Sequence, residues 1–240
     1  MSIADNLHRV QERIARAAES AGRRADEITL VGVTKYVGPN EAAKLSTAGC
    51  HHLGESRPQE LWKKAAAFDG LVASATRHPA PPQIHWHLIG HLQRNKVART
   101  LPLVTLVHSV DSERLLAEID SACVAAGDKL PGVDILLEVN TSGESAKHGL
   151  APDEVTRLVD AAPNYPRVHI LGLMTMAALE GGPAIAARNF AALRELRDRL
   201  KPHTSGHTVL NELSMGMSDD FEVAIKEGAT IVRVGSLLWD

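Results

Sequence analysis

A lysine stands directly after an apolar run near the start of the chain. Residues 28–34 (ITLVGVT) are apolar and rich in β-branched side chains, and Lys35 follows them. A lysine in such a place is costly to bury unless it is paired or chemically used. Loss of solvation would disfavour its ammonium form and make the amine a better nucleophile toward an aldehyde. Lys35 is therefore a candidate imine-forming residue, and a lysine that simply extends from a strand end to the surface is the alternative.

Two loops near the C-terminus carry glycine and serine in positions that could bind an anion. Ser214, Gly216 and Ser218 lie in a loop that opens a helix, where free N–H groups and the helix dipole favour negative charge. Gly235 and Ser236 follow the last apolar run. Ordinary turns use the same residues, so one such loop is weak evidence. A phosphate anchor together with a reactive amine is the minimal set of groups for pyridoxal 5′-phosphate (PLP).

Polar residues at other predicted strand ends could also contact a cofactor. Arg233 lies two residues before Gly235, so both face one side of a strand. Inside a barrel Arg233 needs an acceptor, either a pyridine nitrogen, a phosphate oxygen, or a wall carboxylate such as Glu138. Further candidate cofactor contacts are His87, Asn140 and Met174.

Histidines alternate along one apolar run, which raises the possibility of a metal site. His85 and His87 face one side of a strand, and His91 and His108 could join them. No H-E-x-x-H motif and no carboxylate at ligand spacing accompanies them, so we expect no metal. A serine hydrolase is also disfavoured, because the chain has no G-x-S-x-G motif. We expect no catalytic residue of either class.

Apolar runs and helical periodicity alternate along the whole chain. Residues 1–22 form a leading amphipathic helix, and further helices are predicted at 40–47, 58–68, from about 92, 112–127 with Asp111 as N-cap, 152–161, 183–200 and 219–227. The predicted strands are 28–34, 51–54, 85–90, 104–110, 133–140, 168–174, 208–214 and 230–235, with a proline-rich loop at 79–82.

Strands that alternate with helices pair in parallel through right-handed crossovers. Eight such units in 240 residues predict an α/β protein with a single (β/α)₈ TIM-type barrel, one domain over residues 1–240. A doubly wound open sheet is the alternative. The absence of G-x-G-x-x-G after the first strand argues against a dinucleotide-binding version.

Composition narrows the functional classes and the compartment. The formal net charge is −3, so the chain lacks the basic character of a nucleic-acid-binding protein. No apolar stretch suits a signal peptide or a membrane helix. The two cysteines have neither metal nor redox spacing. We expect a cytoplasmic protein with no membrane and no nucleic-acid partner.

Six segments resemble one known family across essentially the whole chain. They are VGVTKY, GESRPQELWKK, HWHLIGHLQRNK, LLEVNTSGESAKHGL, ILGLMTM and LSMGMSDDFEVAIKEGATIVRVGS. They are similar to the pyridoxal phosphate homeostasis proteins of the YggS/PROSC type. The resemblance implies a barrel similar to the alanine racemase N-terminal domain, with PLP bound at its mouth.

The resemblance also implies residue roles. Lys35 matches the family's Schiff-base lysine, and Arg233 sits where alanine racemase faces the pyridine nitrogen with an arginine. The chain departs from the family at Ser56, where asparagine is usual, which puts a side-chain contact from that position in doubt. Lys147 matches the family too, but we assign it no catalytic role. The positions that match cofactor contacts, chiefly around the phosphate, are Ser214, Gly216, Arg233, Gly235 and Ser236.

Three functions are compatible with these residues. A PLP carrier without catalytic turnover, acting in PLP homeostasis, is favoured. A PLP-dependent racemase or decarboxylase is the alternative, but racemases of this fold add a second domain and we expect none here. A phosphate-binding barrel with an unrelated substrate would require that Lys35 form no imine. The carrier hypothesis predicts a monomer whose partners are PLP and PLP-dependent apoenzymes.

Overall fold

Apolar strands and amphipathic helices alternate in the computed structural model, which describes residues 2–75, 83–144, 148–178, 180–204 and 206–240, without the side chains of 69–75. The proline-rich loop predicted at 79–82 and Lys147 lie outside the described residues. The strands are β1 Thr29–Val33, β2 His52–Glu55, β3 His85–Leu88, β4 Leu106–Val110, β5 Val133–Glu138, β6 Val168–Met174, β7 Thr208–Ser214 and β8 Ile231–Val234. The helices are α1 Ile3–Ser20, α2 Pro39–Thr47, α3 Pro58–Ala75, α4 Val97–Thr100, α5 Glu113–Ala126, α6 Pro152–Ala161, α7 Gly182–Leu200, α8 Phe221–Lys226 and α9 Ser236–Trp239.

The strands form a closed parallel barrel in sequence order, from β1 to β8. Closure is made by β1 and β8, whose register pairs Val31 with Arg233 and Gly32 with Val234. The predicted (β/α)₈ barrel is confirmed, and the pairing of the first strand with the last excludes the open sheet. Because all strands are parallel, their carboxyl ends meet at one mouth, where this architecture places its functional residues.

Helix α1 begins and ends as its sequence predicts. The Ser2 side chain accepts a hydrogen bond from the Asp5 N–H (3.2 Å), and the Asp5 carboxylate accepts one from the Ser2 N–H (3.0 Å). Gly22 follows the last turn with φ of +67°, the left-handed conformation that ends many helices. The apolar side chains on one face of the helix, including Leu7 and Val10, are buried.

Several element boundaries differ from the sequence prediction. Ser112, rather than Asp111, is the N-cap of α5, because its hydroxyl accepts a hydrogen bond from the Leu115 N–H. The helix predicted from Leu92 is instead a set of short turns around α4. After β8 the chain forms α9, which was not predicted because four residues are too few to show helical periodicity.

The apolar core has two parts, and both hold the strands whose ends form the mouth. The larger one lies between the strands and the surrounding helices. A smaller cluster lies inside the barrel and consists of Val31, Leu106, Leu136, Met174 and Ile231. Buried polar side chains also occupy the barrel, among them His87, His108, Ser214 and Arg233. Within the described part of the chain, no helix combines the length and apolar composition that crossing a membrane requires.

Candidate functional site

Lys35 lies in the turn that follows β1, at the mouth of the barrel. The Val37 N–H donates to the Thr34 carbonyl oxygen (3.1 Å), which closes the turn. The Lys35 side chain is exposed, and its Nζ lies 4.8 Å from the ring centre of Tyr36, which is itself 81% exposed. Of the two alternatives that the sequence left open for the side chain, the one in which it extends to the surface is observed, because the strand ends before Lys35 and the turn directs it outward. The amine is open to solvent and to a ligand.

A buried ion pair holds the backbone below this turn. Lys64 of α3 contacts the carboxylate of Glu55 at the end of β2, with the two side chains 4% and 0% exposed. The Lys64 Nζ also donates to the Thr34 carbonyl oxygen (2.6 Å). The second carboxylate oxygen of Glu55 accepts a hydrogen bond from the Ser56 N–H (2.7 Å). The pair thus ties the residue before Lys35 to the neighbouring strand.

No role was predicted for Lys64 from the sequence, although its position offered a clue. Leu61, Lys64 and Phe68 are spaced by three and four residues, so they share one face of α3. Leu61 and Phe68 are buried. A lysine on the apolar face of an amphipathic helix needs a buried partner.

The closing strand brings the C-terminal loop next to Lys35. Since Gly32 pairs with Val234, Gly235 and Ser236 leave β8 beside the end of β1. Trp239 of α9 fastens this contact, because its indole N–H donates to the Val33 carbonyl oxygen (2.9 Å).

A tight loop between β7 and α8 forms the other wall. Gly216 has φ of +92°, and a Cβ there would lie 2.6 Å from the Cβ of Ala224, so only glycine fits. The Gly216 carbonyl oxygen accepts a hydrogen bond from the Arg233 N–H (3.0 Å). Ser218 joins the two loops, since its hydroxyl accepts a hydrogen bond from the Gly235 N–H (3.1 Å).

Arg233 is buried inside the barrel and bonded to neutral groups. It donates to the Ser214 hydroxyl (2.6 Å) and to the Thr175 carbonyl oxygen (3.0 Å). Burial lowers the pKa of Arg233 to about 10, and the negative charges of Glu138 and Asp220 oppose that fall. Arg233 therefore remains a cation at neutral pH, and in the described residues no carboxylate lies within ion-pair distance of it.

A chain of histidines crosses the interior of the barrel to Ser214. The ring nitrogens of His87 lie 2.9 Å from His52 and 2.8 Å from His108, and His108 lies 2.8 Å from the Ser214 hydroxyl. Burial, aided by the neighbouring histidines, lowers the pKa of His87 to about 3 and that of His108 well below its usual value. The two buried rings are thus neutral, each with one donor and one acceptor nitrogen.

These hydrogen bonds between histidines change the interpretation of His87. From the sequence we expected His87 to contact a cofactor, but both of its ring nitrogens are engaged by other histidines inside the barrel. The contacts could not be anticipated, because they join residues 35 and 21 positions apart.

Two other candidate residues lie away from Lys35. Asn140 organises its own loop, donating to the Glu144 carbonyl oxygen (2.8 Å) and accepting from the Gly143 N–H (3.1 Å). Met174 is 1% exposed and belongs to the apolar cluster inside the barrel. The structure therefore gathers one part of the predicted set at the ends of β1, β7 and β8, namely Lys35, Ser214, Gly216, Ser218, Arg233, Gly235 and Ser236.

The chain is similar to known proteins over nearly its whole length. The profile of the alanine racemase N-terminal domain family matches residues 6–239. A pyridoxal phosphate homeostasis protein from Aquifex aeolicus is 39% identical over 239 residues, covering 100% of this chain and 98% of the relative.

The chain is also similar to solved structures over its whole length. A protein of unknown function from Bifidobacterium adolescentis is 39% identical, with a TM-score of 0.90, and covers 99% of this chain and 94% of its own. PipY of Synechococcus elongatus, solved with PLP bound, is 28% identical with a TM-score of 0.83, and the match covers 100% of both chains. The chain therefore belongs to the alanine racemase N-terminal domain family and, within it, to the pyridoxal phosphate homeostasis proteins.

Proposed function

We propose that this protein binds PLP at the mouth of the barrel, holds it as a Schiff base on Lys35, and serves PLP homeostasis without catalytic turnover. The observation that carries the proposal is the register between β1 and β8. The register brings Lys35 close to the loop that carries Gly235 and Ser236, some 200 residues away in sequence, and Ser218 joins that loop to the one that carries Gly216.

The residues present fit the cofactor. Glycine at position 216 allows the loop to take a φ of +92° and to pack directly against α8, and Ser218 joins this loop to Gly235 at the mouth. The first N–H groups of α9, starting at Ser236, have no acceptor within the helix. The Arg233 guanidinium provides a buried positive charge between these loops and the barrel interior. When bound, PLP supplies an aldehyde that reacts with an amine.

Arg233 also bears on what the cofactor can do. A guanidinium that faces the pyridine nitrogen disfavours protonation of the ring, because two positive charges repel each other. A neutral ring withdraws electrons weakly, but alanine racemase places an arginine at the same position, so this feature does not distinguish a carrier from a racemase.

Two observations favour a carrier over a racemase or a decarboxylase. Curated relatives such as the Aquifex aeolicus protein are named for homeostasis rather than for a reaction. The imidazoles of His87 and His108, which could serve as acid or base, are bonded to one another and to Ser214 below the mouth. The open position of Lys35 suits a cofactor that is handed to apoenzymes, and we propose one cytoplasmic, monomeric domain over residues 1–240.

The test of the Schiff base uses purified protein loaded with PLP. Wild-type protein should show the visible absorption of a protonated imine, and borohydride should fix the label on Lys35. Lys35→Ala should abolish both, whereas Lys44→Ala, which removes an exposed lysine of α2, should leave both unchanged. If Lys35→Ala keeps the absorption undiminished, the lysine assignment is wrong.

Turnover is tested separately. Holoprotein is incubated with a panel of L-amino acids, and the products are analysed for D-isomers, amines and keto acids. We expect no sustained turnover. Steady formation of any of these products in proportion to protein would contradict the carrier and support the enzyme.

A further inference from the structure

A second group of side chains converges at the same mouth, on the side formed by β3, β4 and β5. His91 and Asp111 follow β3 and β4, and His148 comes after the loop that leaves β5. One ligand atom from each lies within 4.8 Å of the other two. Among the described residues, this is the group of three histidine, cysteine or carboxylate side chains whose ligand atoms lie close enough to share one metal ion.

Asp111 is the fixed member of the group. Its side chain is 12% exposed, whereas that of His91 is 50% exposed. One carboxylate oxygen accepts a hydrogen bond from the Ser112 hydroxyl (3.3 Å), and the other lies 3.1 Å from the Nδ1 of His91. The rings of His91 and His148 are nearly parallel, with an interplanar angle of 24° and centroids 5.5 Å apart. A held carboxylate thus lies next to two exposed, stacked imidazoles.

A second carboxylate lies on this side of the mouth. Glu138 lies buried at the end of β5. Burial and, next, the negative charge of Asp111 raise the pKa of Glu138, while Arg233, His148 and His91 oppose that rise. Asp111 and Glu138 thus place two carboxylates on this side of the mouth.

We propose that His91, Asp111 and His148 form a binding site for a divalent transition metal of the zinc class. Two imidazole nitrogens and one carboxylate oxygen are ligands that Zn²⁺ and its neighbours accept, whereas Mg²⁺ and Ca²⁺ prefer oxygen alone. Tetrahedral Zn²⁺ with bonds of about 2.0–2.1 Å holds its ligand atoms roughly 3.4 Å apart, so ligand atoms that lie up to 4.8 Å apart here must close by at most about 1.4 Å. Both histidines are exposed, which leaves space for this movement.

Three protein ligands leave a coordination position for water or another small ligand. His91 was among the histidines considered as metal ligands from the sequence, but no metal was expected, because the carboxylate follows a different strand from either histidine and shows no ligand spacing in the chain. Its ligand and its residues are separate from those proposed to hold PLP, so either proposal can fail without the other.

The experiment uses full-length protein free of any affinity tag, stripped with a chelator and titrated with zinc chloride by calorimetry. Co²⁺ serves as a second probe, because its visible spectrum reports nitrogen ligands and coordination number. We expect one equivalent of Zn²⁺ to bind. His91→Asn, His148→Asn and Asp111→Asn should each weaken binding by at least about ten-fold, with unchanged circular dichroism.

The chain offers a matched control at the opposite end of the barrel. His169 lies 2.9 Å from Asp134, and the ring of His207 lies 4.8 Å from that of His169, so the residue types are the same. His169→Asn should leave Zn²⁺ binding unchanged. The proposal is overturned if wild-type protein binds no Zn²⁺, or if the His91 and His148 variants bind it as tightly as the His169 variant.

Discussion

Replacing Lys64 by methionine keeps the length of the side chain but removes the ammonium group that Glu55 and Thr34 share. Glu55 would then retain a carboxylate with 0% exposure and no cation beside it. Removing one partner of a buried ion pair costs about 3–5 kcal/mol, because the other charge stays desolvated. For a chain of this length, each kcal/mol lowers the melting temperature by about 2–4 °C, so we expect a fall of roughly 6–20 °C.

Urea unfolding at pH 7, followed by tryptophan fluorescence, measures this change. Lys63→Met is the matched control, since the adjacent Lys63 is 71% exposed and pairs with Glu60 on the surface, where an ion pair contributes little. Adding Glu55→Gln to Lys64→Met should recover part of the loss, because it removes the stranded charge. If Lys64→Met unfolds at the same urea concentration as Lys63→Met, the buried pair does not stabilise the barrel and our reasoning is wrong.

Two further predictions concern one wall of the site and the buried histidines beneath it. Gly216→Ala should destabilise the protein by about 1–3 kcal/mol and weaken PLP binding, because φ is +92° and the new Cβ meets Ala224. Urea unfolding measures the loss of stability, and titration with PLP measures the loss of binding. Gly22→Ala, with φ of +67° and nothing within 4 Å, isolates the conformational cost, so equal losses in the two variants would refute the packing argument. The folded-state pKa of His87, about 3, lies below its ordinary value of 6.5, so its contribution to stability is complete above pH 6.5 and is lost as pH falls toward 3. In that pH range, each proton taken up on unfolding gives the plot of unfolding free energy against pH a slope of about 1.4 kcal/mol per pH unit. This slope should decrease in His87→Gln but not in the control His85→Gln. An unchanged slope in both variants would refute the predicted role of His87 in the pH dependence.

Much of the fold was predictable from local patterns. The alternation of β-branched runs with amphipathic segments predicted all of the strands, because each run carries its own periodicity and its own breaks. Boundaries were less accurate where one hydrogen bond decides them, as with Ser112 in place of Asp111 at the start of α5. The short α9 was missed for lack of periodicity, although Trp239 binds the end of β1 through it.

The sequence by itself determined the barrel, the position of Lys35 after the first strand, and the glycine and serine loops around β7 and β8. These features depend on neighbouring residues, whose spacing is written in the chain. The tertiary structure alone decided that Lys35 is exposed, that Lys64 is buried against Glu55, and that His87 bonds to other histidines. These outcomes depend on strand register and barrel closure, which bring distant residues within hydrogen-bond distance and are set by the packing of the whole chain.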